Sequence, residues 1–445
     1  MRPTISWSDL PGRSVGLYGL GREGQANLRK CVSLGVEPIL VDDSPSASTV
    51  DSLPVLRTAS GGREALGRCD IVVKSPGISR YGDTVRELEA SGVAVVGGLG
   101  LWLREADRSR ILCVTGTKGK STTTAIAAHL LNRLGYRAMA GGNLGVPPYD
   151  PTQSADSPDY DFWIIEVSSY QATDLSRTPP VFAVTSLHPD HLPWHGNDAE
   201  NYFRDKLSAC SQPGADLTIA NGDSELLRER AALLGPRVRW VSAADDPAAT
   251  WIEPLGLLGA HNRRNALIAR EGLRGLNIPE ADDEDALRAA AEGFAGLENR
   301  LRPIGAIDGV TFVDDSLSTN VLPTLAAVDA FPRRRIALIV GGHSRGIDYA
   351  PLAEGLRSRT DDTLVITVPD NGPDIYRQVA ETGAGPRVAV TEADDLTKAV
   401  IEGYHWARPD GVVLLSPAAA SFGQFRDYRE RGTVFAAAME TCRHS

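Results

Sequence analysis

One short stretch constrains this chain more than any other: residues 111–124 read ILCVTGTKGKSTTT. An apolar, strand-like run comes first, a glycine-rich turn follows, and a helical pattern begins after the turn. The start of such a helix offers unpaired N–H groups and the positive end of its dipole. The glycines let the backbone wrap around a phosphate, while Lys120 can reach the phosphate oxygens and the Ser121 hydroxyl can ligate Mg²⁺. The order of these features predicts a phosphate-binding loop.

The match to the common phosphate loop is not perfect. Its usual spacing would place the first glycine at position 114, where this chain has valine. The stretch is therefore a shortened relative of that motif, and a plain strand–turn–helix with an exposed lysine is the competing interpretation. Lysine is rare here, with six lysines against forty arginines. A retained lysine, such as Lys118, Lys120 or Lys206, is a candidate for amine chemistry that a guanidinium group cannot perform.

Two later strand patterns end in groups that suit a magnesium nucleotide. The run Phe162–Ile165 leads into Glu166, and a carboxylate at the end of a strand beside a phosphate loop can hold Mg²⁺. The run Val181–Thr185 leads into SLHPDHLPWHG at 186–196, and Lys206 follows on a helical stretch. Three histidines in eight residues suggest zinc, but no thiol is near, so one histidine at a Mg²⁺ site is the preferred interpretation. For each histidine alone, a hydrogen-bonded loop residue remains the alternative.

The N-terminal region carries a different glycine pattern. Val15–Tyr18 reads as a strand, GLGREG follows at 19–24, and Asp42 ends a second strand about twenty residues further on. Dinucleotide-binding folds show this arrangement, and alone it is a weak signal. A third strand, Ile71–Val73, ends in a turn at Lys74–Gly77. This pattern keeps a nicotinamide-dependent oxidoreductase among the hypotheses.

Length and alternating strand and helix patterns predict an α/β fold of several domains. A chain of 445 residues is too long for one typical core. We expect three domains with mostly parallel sheets, at residues 1–107, 108–298 and 299–445. Two larger domains are the alternative.

Charge and cysteine usage point to a cytoplasmic protein. The net charge of −11 argues against nonspecific binding to nucleic acid. No apolar run is long enough to span a bilayer, and the N-terminus has no apolar signal-peptide core, so we expect no membrane insertion. The five cysteines are scattered without a paired spacing, which is typical of buried thiols.

Taken together, the motifs resemble the ATP-dependent Mur ligases that build the peptidoglycan stem peptide, over essentially the whole chain. The marks of this resemblance are TGTKGKST at 115–122, GGNLGVP at 141–147, EVSSYQ at 166–171, HPDHLPWHG at 188–196, HNRRNALIA at 261–269, NR at 299–300, DDSLSTN at 314–320, GGHSRGIDY at 341–349 and LLSPAAASFGQF at 414–425. Within the family, GLGREG and the short first domain look like the glutamate-adding type.

The resemblance implies a Rossmann-like UDP-binding domain, a central P-loop-like ATPase domain and a C-terminal Rossmann-like domain. It also implies a reaction. ATP phosphorylates the carboxylate of UDP-MurNAc-L-Ala, and the amine of glutamate then attacks the acyl phosphate, which gives an amide, ADP and phosphate. Phosphoryl transfer between polyanions depends on charge neutralisation and alignment more than on covalent catalysis.

The same resemblance implies a role for individual residues. The catalytic set is Lys120, Glu166, His191 and Lys206. The expected ATP-binding residues are Gly116, Thr117, Lys118, Gly119, Lys120, Ser121, Thr122, Asn262, Asn265, Arg300 and Asp315. The expected UDP-substrate residues are Gly21, Arg22, Glu23, Asp42, Ser75, Pro76, Gly77 and Asn143. The expected glutamate residues are Thr319, Arg345, Ser421 and Tyr428. The expected Mg²⁺ ligands are Ser121, Glu166 and His191. Lys206 would carry a carbamate, whose formation needs a neutral amine that arginine cannot supply.

Several positions depart from the family's usual residues. Lys118 stands for Asn in the loop, while Ser186 and Pro193 replace an Asn and an Asp around HPDHL. In the third domain the departures are Leu317 and Arg345 for lysines, Gly423 for an acid and Tyr428 for Phe. They favour a variant that adds L-glutamate instead of D-glutamate, with a separate epimerase acting on its product. We expect the protein to be a monomer.

Three other hypotheses stay open beside D-glutamate addition. A nicotinamide-dependent oxidoreductase would leave TGTKGKS and the His191–Lys206 pair unexplained. A noncatalytic nucleotide-binding regulator conflicts with an intact set of catalytic residue types. A folate polyglutamylating ligase would share the central domain, but such ligases begin at the ATPase domain and lack a GLGREG domain.

Overall fold

The computed structural model describes residues 2–153, 160–344 and 346–444. These residues form three six-stranded, mainly parallel sheets flanked by helices, which confirms the predicted α/β class. The strands are β1 (Val15–Tyr18), β2 (Ile39–Asp42), β3 (Thr49–Val50), β4 (Leu53–Arg57), β5 (Ile71–Lys74), β6 (Ala94–Gly97), β7 (Ile111–Thr115), β8 (Ala138–Gly142), β9 (Phe162–Glu166), β10 (Val181–Val184), β11 (Leu217–Asn221), β12 (Arg237–Val241), β13 (Arg302–Ile307), β14 (Val310–Asp314), β15 (Ile336–Gly341), β16 (Thr363–Val368), β17 (Val388–Glu392) and β18 (Val412–Leu415).

Along the chain, most of the α-helices connect one strand to the next. They are α1 (Arg22–Ser33), α2 (Arg63–Leu66), α3 (Asp83–Ala90), α4 (Gly98–Glu105), α5 (Lys120–Arg133), α6 (Ser169–Ala172), α7 (Ala199–Leu207), α8 (Glu225–Glu229), α9 (Ala260–Gly275), α10 (Glu284–Ala291), α11 (Val321–Asp329), α12 (Ala350–Leu356), α13 (Gly372–Thr382), α14 (Leu396–Ala407) and α15 (Tyr428–Thr441).

The first sheet has the strand order β3-β4-β2-β1-β5-β6, and only the β3–β4 pair is antiparallel. The chain leaves β1 toward β2 on one side and returns to β5 on the other. Ligands of open parallel sheets bind at such a reversal, beyond the carboxyl ends of the strands. The GLGREG turn follows β1 and the turn Ser75–Gly77 follows β5, so both turns lie at this point.

The central sheet is entirely parallel, with the order β12-β11-β10-β7-β9-β8. Its reversal point lies between β7 and β10, because the chain runs from β7 to β8 and β9 on one side and then to β10 on the other. Strand β7 is fully buried along its length, as is β10. The stretch that follows β7 is the predicted phosphate loop, so the fold places it where a ligand is expected.

The third sheet has the order β13-β14-β18-β15-β16-β17. Strands β13 and β14 form an antiparallel hairpin at one edge, and the remaining pairs are parallel. The central strands β15, β16 and β18 are buried along their whole length, which fits their nearly continuous apolar sequences.

The described chain forms two compact units. One contains the first and central sheets, at residues 1–255 and 264–294, and the other contains the third sheet, at 256–263 and 295–445. The three sheets match the three predicted domains in number, and the boundaries predicted after residues 107 and 298 remain predictions.

The first and central sheets share one hydrophobic core. This cluster combines Leu17 and Val73 of the first sheet with Cys113, Ile165 and Val184 of the central sheet. A buried ion-pair group also joins the two sheets: Lys74 Nζ lies 2.8 Å from Asp174 Oδ2, and Arg80 contacts the same carboxylate. The exposed fractions of the Lys74 and Asp174 side chains are 0% and 3%. Burial lowers the pKa of Lys74, and its charge depends on Asp174.

We predict that Asp174→Asn destabilises this unit by about 3 kcal/mol, because removing one partner leaves a buried lysine without its counter-ion. Urea unfolding of the purified variant measures the change. The matched control is Asp161→Asn, which removes an exposed pairing with Arg137 and should cost under about 1 kcal/mol. Equal midpoints for Asp174→Asn and the parent protein would contradict a stabilising role for the pair.

Candidate active site

The phosphate loop depends on two glycines that no other residue can replace without strain. Gly116 has a φ of +138° and Gly119 a φ of +90°, a region that L-residues rarely adopt. A Cβ atom on Gly116 would lie 2.2 Å from Thr185 Oγ1, and one on Gly119 would lie 2.7 Å from Asn265 Oδ1. The backbone therefore turns tightly into the fourteen-residue helix α5, which begins at Lys120.

Neighbouring side chains hold the loop from behind. Ser186 Oγ accepts a hydrogen bond from Lys118 N at 2.8 Å, and the Ser186 carbonyl accepts one from Thr117 N at 2.9 Å. The Lys118 carbonyl accepts a hydrogen bond from Thr185 Oγ1 at 2.5 Å. These contacts fix the loop's curvature before any ligand arrives.

Glu166 ends β9, beside the phosphate loop in the sheet, and one of its oxygens makes no hydrogen bond to the described residues. Its exposed fraction is 2%. Oε1 accepts a hydrogen bond from Asn143 Nδ2 at 2.8 Å, while Oε2 is buried without a hydrogen bond among the described residues. A buried carboxylate oxygen left in this way is costly unless a cation approaches it.

Lys206 lies on α7 and reaches under the loop. Its side chain is buried, and Nζ donates a hydrogen bond to the Gly116 carbonyl at 3.0 Å. Burial is the main cause of a pKa well below that of an ordinary lysine, and the nearby charge of Lys120 lowers it further. Lys120 Nζ itself donates to the Thr117 carbonyl at 3.3 Å. Lys120 and Lys206 thus both donate to carbonyls of this loop, and the buried amine of Lys206 favours the neutral form.

His191 is the most exposed member of the predicted set. Its side chain is 58% exposed, its backbone has a φ of +51°, and Asp190 Oδ1 lies 3.8 Å from Nε2. Asp190 Oδ2 also pairs with Lys118 Nζ at 3.3 Å. Partial desolvation lowers the pKa of His191, which favours the neutral imidazole that a metal requires.

The chemistry of this donor set fits Mg²⁺ shared with a nucleotide. Among the described residues no group of three or more His, Cys, Asp or Glu side chains forms a metal cage. Mg²⁺ prefers one or two carboxylates together with phosphate oxygens and water over an all-protein cage. The Glu166 Oε2 atom, beside glycines that leave room for phosphate, fits that arrangement, and Ser121 lies in the first turn of the adjoining helix.

At the edge of the first sheet, the predicted UDP-substrate residues lie around the reversal between β1 and β5. Asp42 accepts hydrogen bonds from Leu20 N at 2.7 Å and Ser44 N at 2.9 Å. Ser75 Oγ donates to the Gly19 carbonyl at 2.6 Å. The twelve-residue helix α1 begins after Gly21, so its N-terminus opens onto the same place.

The side chains of Arg22 and Glu23 reach toward the central sheet. Glu23 accepts hydrogen bonds from Tyr149 Oη at 3.2 Å and Gln171 Nε2 at 3.0 Å, and desolvation raises its pKa to about 7. Arg22 Nη2 donates to the Asn143 carbonyl at 3.1 Å. Asn143 therefore links the first-sheet turn to Glu166.

Trp194 makes a second link between the two sheets. Its Nε1–H points at two carbonyls of the β5 turn, those of Pro76 and Gly77, each at 3.1 Å. Its ring stacks on Tyr170 with centroids 4.6 Å apart. The loop that carries His191 is thereby tied to the turn expected to hold UDP.

In the unit with the third sheet, Asp315 is the best-defined predicted residue. Its carboxylate accepts hydrogen bonds from Ser416 Oγ at 2.7 Å and Leu301 N at 3.1 Å, and burial raises its pKa to about 7. Arg300 lies two residues before β13. Asn262 is buried near the start of α9, where its amide donates to the Leu258 carbonyl at 2.8 Å.

The predicted glutamate residues occupy the carboxyl edge of the third sheet. Thr319 follows β14, Ser421 follows β18, and Tyr428 begins α15. Arg345 lies outside the described residues. Among the described residues of this unit, a cavity of about 390 Å³ is lined by Ser344, Gly346, Ile347, Asp348, Tyr349, Asn371, Asp374, Arg377 and Gln378.

Three residues of the loop's surroundings carry no role in the sequence interpretation. Thr185 and Ser186 hold the loop's backbone, and Asp190 orients Lys118. Asp190 could have been found, since it adjoins His191 in a motif already recognised. Thr185 and Ser186 give no local signal, because only the pairing of β7 with β10 brings them to the loop.

A parallel sheet with a phosphate loop at its reversal point, beside a partner-free carboxylate oxygen, defines a nucleotide-binding α/β protein of the phosphate-loop class. Sequence comparison narrows this class. The Mur ligase middle domain matches residues 114–253, and the Mur ligase glutamate ligase domain matches residues 299–419.

Similar proteins include two named UDP-N-acetylmuramoyl-L-alanine–L-glutamate ligase. The Micromonospora protein is 38% identical and the match covers 97% of each chain. The Xanthomonas euvesicatoria protein is 38% identical, covering 96% of this chain and 95% of its own. The chain belongs to the Mur ligase family, whose members are ATP-dependent amide-forming ligases.

Solved structures agree on the fold. MurF from Acinetobacter baumannii superposes with a TM-score of 0.59 at 15% identity, covering all of this chain and 93% of that one. UDP-N-acetylmuramate–alanine ligase MurC from Thermotoga maritima gives 0.53 at 18% identity, covering 96% and 99%. MurF from Thermotoga maritima, solved with ADP, gives 0.53 at 15% identity, covering 98% and 97%. No helix among the described residues has the length and apolar character needed to cross a membrane.

Proposed function

We propose that this protein joins L-glutamate to UDP-N-acetylmuramoyl-L-alanine, using ATP, in peptidoglycan precursor synthesis. The observation that carries the reaction type is the partner-free Glu166 oxygen beside the phosphate loop and the buried amine of Lys206. The names of two similar proteins, which match over nearly the full length of both chains, support L-glutamate as the amino acid.

The residues of the central sheet would act on the γ-phosphate of ATP. Gly116 and Gly119 shape the loop around the phosphates, and Lys120 balances their charge. Mg²⁺ bound by Glu166, Ser121 and His191 would neutralise charge on the transferring phosphoryl group. The substrate carboxylate attacks that group, and the resulting acyl phosphate then reacts with the amine of glutamate.

Lys206 would act as a carbamate. Its burial and lowered pKa keep the amine neutral, which is the form that adds CO₂. The new N–C bond forms with loss of one proton to solvent, and the product is an anion beneath the phosphate loop, next to Lys120. A protonated amine at this point would repel Lys120, whereas the carbamate would attract it.

The first sheet would hold the UDP part of the substrate. The N-terminus of α1 suits the diphosphate, while Asp42 and the Ser75–Gly77 turn lie along the nucleotide. In the other unit, Asp315 and Arg300 would contact the ribose and phosphates of ATP, and Thr319 and Ser421 would contact glutamate. A cytoplasmic location and an epimerase acting on the L-glutamyl product belong to the same proposal.

A direct assay tests the proposed function. The protein is supplied with ATP, Mg²⁺ and UDP-MurNAc-L-Ala, and phosphate release is compared with L-glutamate, with D-glutamate and without an amino acid. We expect release with L-glutamate only. Release with D-glutamate only would make the departures at Leu317, Gly423 and Tyr428 neutral and overturn the proposed stereochemistry. Release with neither would refute the assignment of the acceptor.

The link through Trp194 gives a further prediction. Trp194→Phe removes the two N–H contacts to the β5 turn and keeps an aromatic ring to stack on Tyr170. We expect the KM for UDP-MurNAc-L-Ala to rise about fivefold, since the one N–H shared between the two carbonyls is worth about 1 kcal/mol, while the KM for ATP stays constant. Steady-state kinetics with each substrate varied measures both constants. Trp163→Phe, which changes a core contact with Trp102, is the control. An unchanged KM for the UDP substrate would contradict the link.

A further inference from the structure

Four loops meet at the carboxyl edge of the third sheet. They follow β14, β18, β15 and β16, which are neighbours in that order. Because parallel strands end at the same edge, side chains from these loops can surround one ligand. The predicted glutamate residues Thr319 and Ser421 belong to the first two loops.

A buried asparagine joins three of the loops. Asn371 Oδ1 accepts a hydrogen bond from Gly342 N at 2.9 Å, and its Nδ2 donates to Tyr349 Oη at 2.8 Å. Tyr349 Oη donates in turn to the Ala418 carbonyl at 3.3 Å. Asn371 itself is 4% exposed. The loops after β16, β15 and β18 are therefore held in fixed register.

A buried arginine joins the remaining loop to this group. Arg431, which is 2% exposed, donates from Nη2 to the Ser316 carbonyl at 2.7 Å and to the Ala419 carbonyl at 3.1 Å. Ser316 follows β14, and Ala419 lies two residues before Ser421. Buried hydrogen bonds thus hold the four loops at this edge in fixed positions relative to one another.

On this surface, Asp370 occupies the space that a side chain at position 423 would need. A Cβ atom on Gly423 would lie 2.7 Å from Asp370 Oδ2, and Gly423 has a φ of +94°. A side chain at 423 would displace this carboxylate. Position 423 is also where the resemblance expects an acid and this chain has none. In this chain the carboxylate at this point therefore belongs to Asp370, in the loop after β16. An acid at position 423 would instead place a carboxylate here from the loop after β18.

The chemistry of glutamate gives this carboxylate a use. The amino acid carries two carboxylates, which hydroxyls such as those of Thr319 and Ser421 can meet, and one ammonium group, which needs an acceptor. Asp370 is exposed and offers a carboxylate as the acceptor. A charge-assisted hydrogen bond between a carboxylate and an ammonium group is stronger than one between neutral groups. Handedness is recognised by three contacts around one carbon, so relocating the anionic contact changes which enantiomer fits.

We propose that Asp370 binds the ammonium group of the incoming glutamate and selects the L-enantiomer, with Gly423 leaving room for it. This inference rests on the proposed function and adds a specificity residue to it.

The first test compares L-glutamate with glutarate, which lacks the ammonium group. In Asp370→Asn we expect the KM for L-glutamate to rise about 10- to 100-fold, as for a lost charge-assisted hydrogen bond. The inhibition constant of glutarate should stay unchanged, which also reports that the pocket is folded. Glu381→Gln changes another exposed acid, near the end of the helix that follows this loop, and should leave both constants unaltered. An unchanged KM for L-glutamate, or an equal loss of glutarate binding, overturns the proposal.

A second variant moves the acid back. Asp370→Gly combined with Gly423→Asp returns the carboxylate to the loop after β18, and aspartate tolerates a positive φ better than most residues. We expect the ratio of kcat/KM for L- over D-glutamate to fall at least tenfold. A constant ratio in an active double variant overturns the role in handedness. Reversal of the first step, in which the acyl phosphate returns its phosphoryl group to ADP, separates the two proposals. Exchange of labelled ADP into ATP should depend on UDP-MurNAc-L-Ala but not on glutamate, and its absence in the parent protein refutes the proposed function itself.

Discussion

Lys206→Arg should lower kcat by roughly 10³-fold, an effect of the size expected when a preorganised charge at a phosphoryl-transfer site is lost. Arginine keeps a positive charge at all working pH values and cannot form a carbamate. Its larger head would also have to fit where Lys206 Nζ contacts the Gly116 carbonyl in a buried site. Single-turnover phosphate release measures the loss without interference from product release. Lys398→Arg, at an exposed lysine paired with Asp394, is the matched control and should retain full activity.

A rescue experiment distinguishes the missing anion from a packing defect. Lys206→Ala leaves a cavity beneath the loop that a small carboxylate can enter. Formate or acetate should restore part of the rate in this variant, and chloride at equal ionic strength should not. Full activity of Lys206→Arg, or equal effects of acetate and chloride on Lys206→Ala, would show that no carbamate is needed.

The elements around the site were predictable because their signals are local. The predicted run Val15–Tyr18 coincides with β1, and the predicted runs Ile71–Val73 and Phe162–Ile165 end one residue before β5 and β9 do. Buried parallel strands need continuous apolar sequence, and glycines with positive φ must follow them where the chain turns sharply. Motif spacing therefore placed Gly116 directly after β7, Gly119 directly before α5 and Glu166 at the end of β9.

Contacts that join distant segments carried no such signal. The Trp194 contact to the Pro76 carbonyl and the Lys74–Asp174 pair depend on how two sheets pack, which one sequence does not reveal. The antiparallel hairpin of β13 and β14 also escaped prediction, because Arg302–Ile307 is largely solvent-facing and lacks the apolar run of a central strand. For the same reason the sequence did not predict a role for Asp370, because its proximity to Gly423 depends on the packing of two loops.

Glu23 illustrates how packing adds a function to a recognised motif. The sequence places it in a turn for diphosphate, where its backbone is the relevant part. In the structure its carboxylate accepts hydrogen bonds from Tyr149 and Gln171. The acidic side chain of this turn thus joins the first sheet to the central sheet.

Glu166→Gln should lower kcat/KM for ATP by about 10²- to 10³-fold, because an amide is a poor ligand for Mg²⁺ where a carboxylate oxygen would serve. The Mg²⁺ concentration that gives half-maximal rate should rise, and excess chelator should abolish activity in both proteins. Titrating Mg²⁺ at saturating ATP measures this shift. Glu392→Gln changes an exposed acid that also ends a parallel strand and should leave the titration unchanged.

Although Glu166→Gln should lower activity, we expect it to raise the thermal stability of the ligand-free protein. Glu166 Oε2 is buried without a hydrogen bond among the described residues, so the ligand-free protein tolerates a desolvated anionic oxygen. A neutral amide reduces that cost, and we expect the ligand-free variant to unfold at a higher temperature than the parent protein. Adding ATP and Mg²⁺ should stabilise the parent more than the variant, because only the parent gains the metal contact. A variant that loses both activity and thermal stability would instead assign Glu166 a structural role, and a variant that keeps its Mg²⁺ dependence would remove it from the metal site.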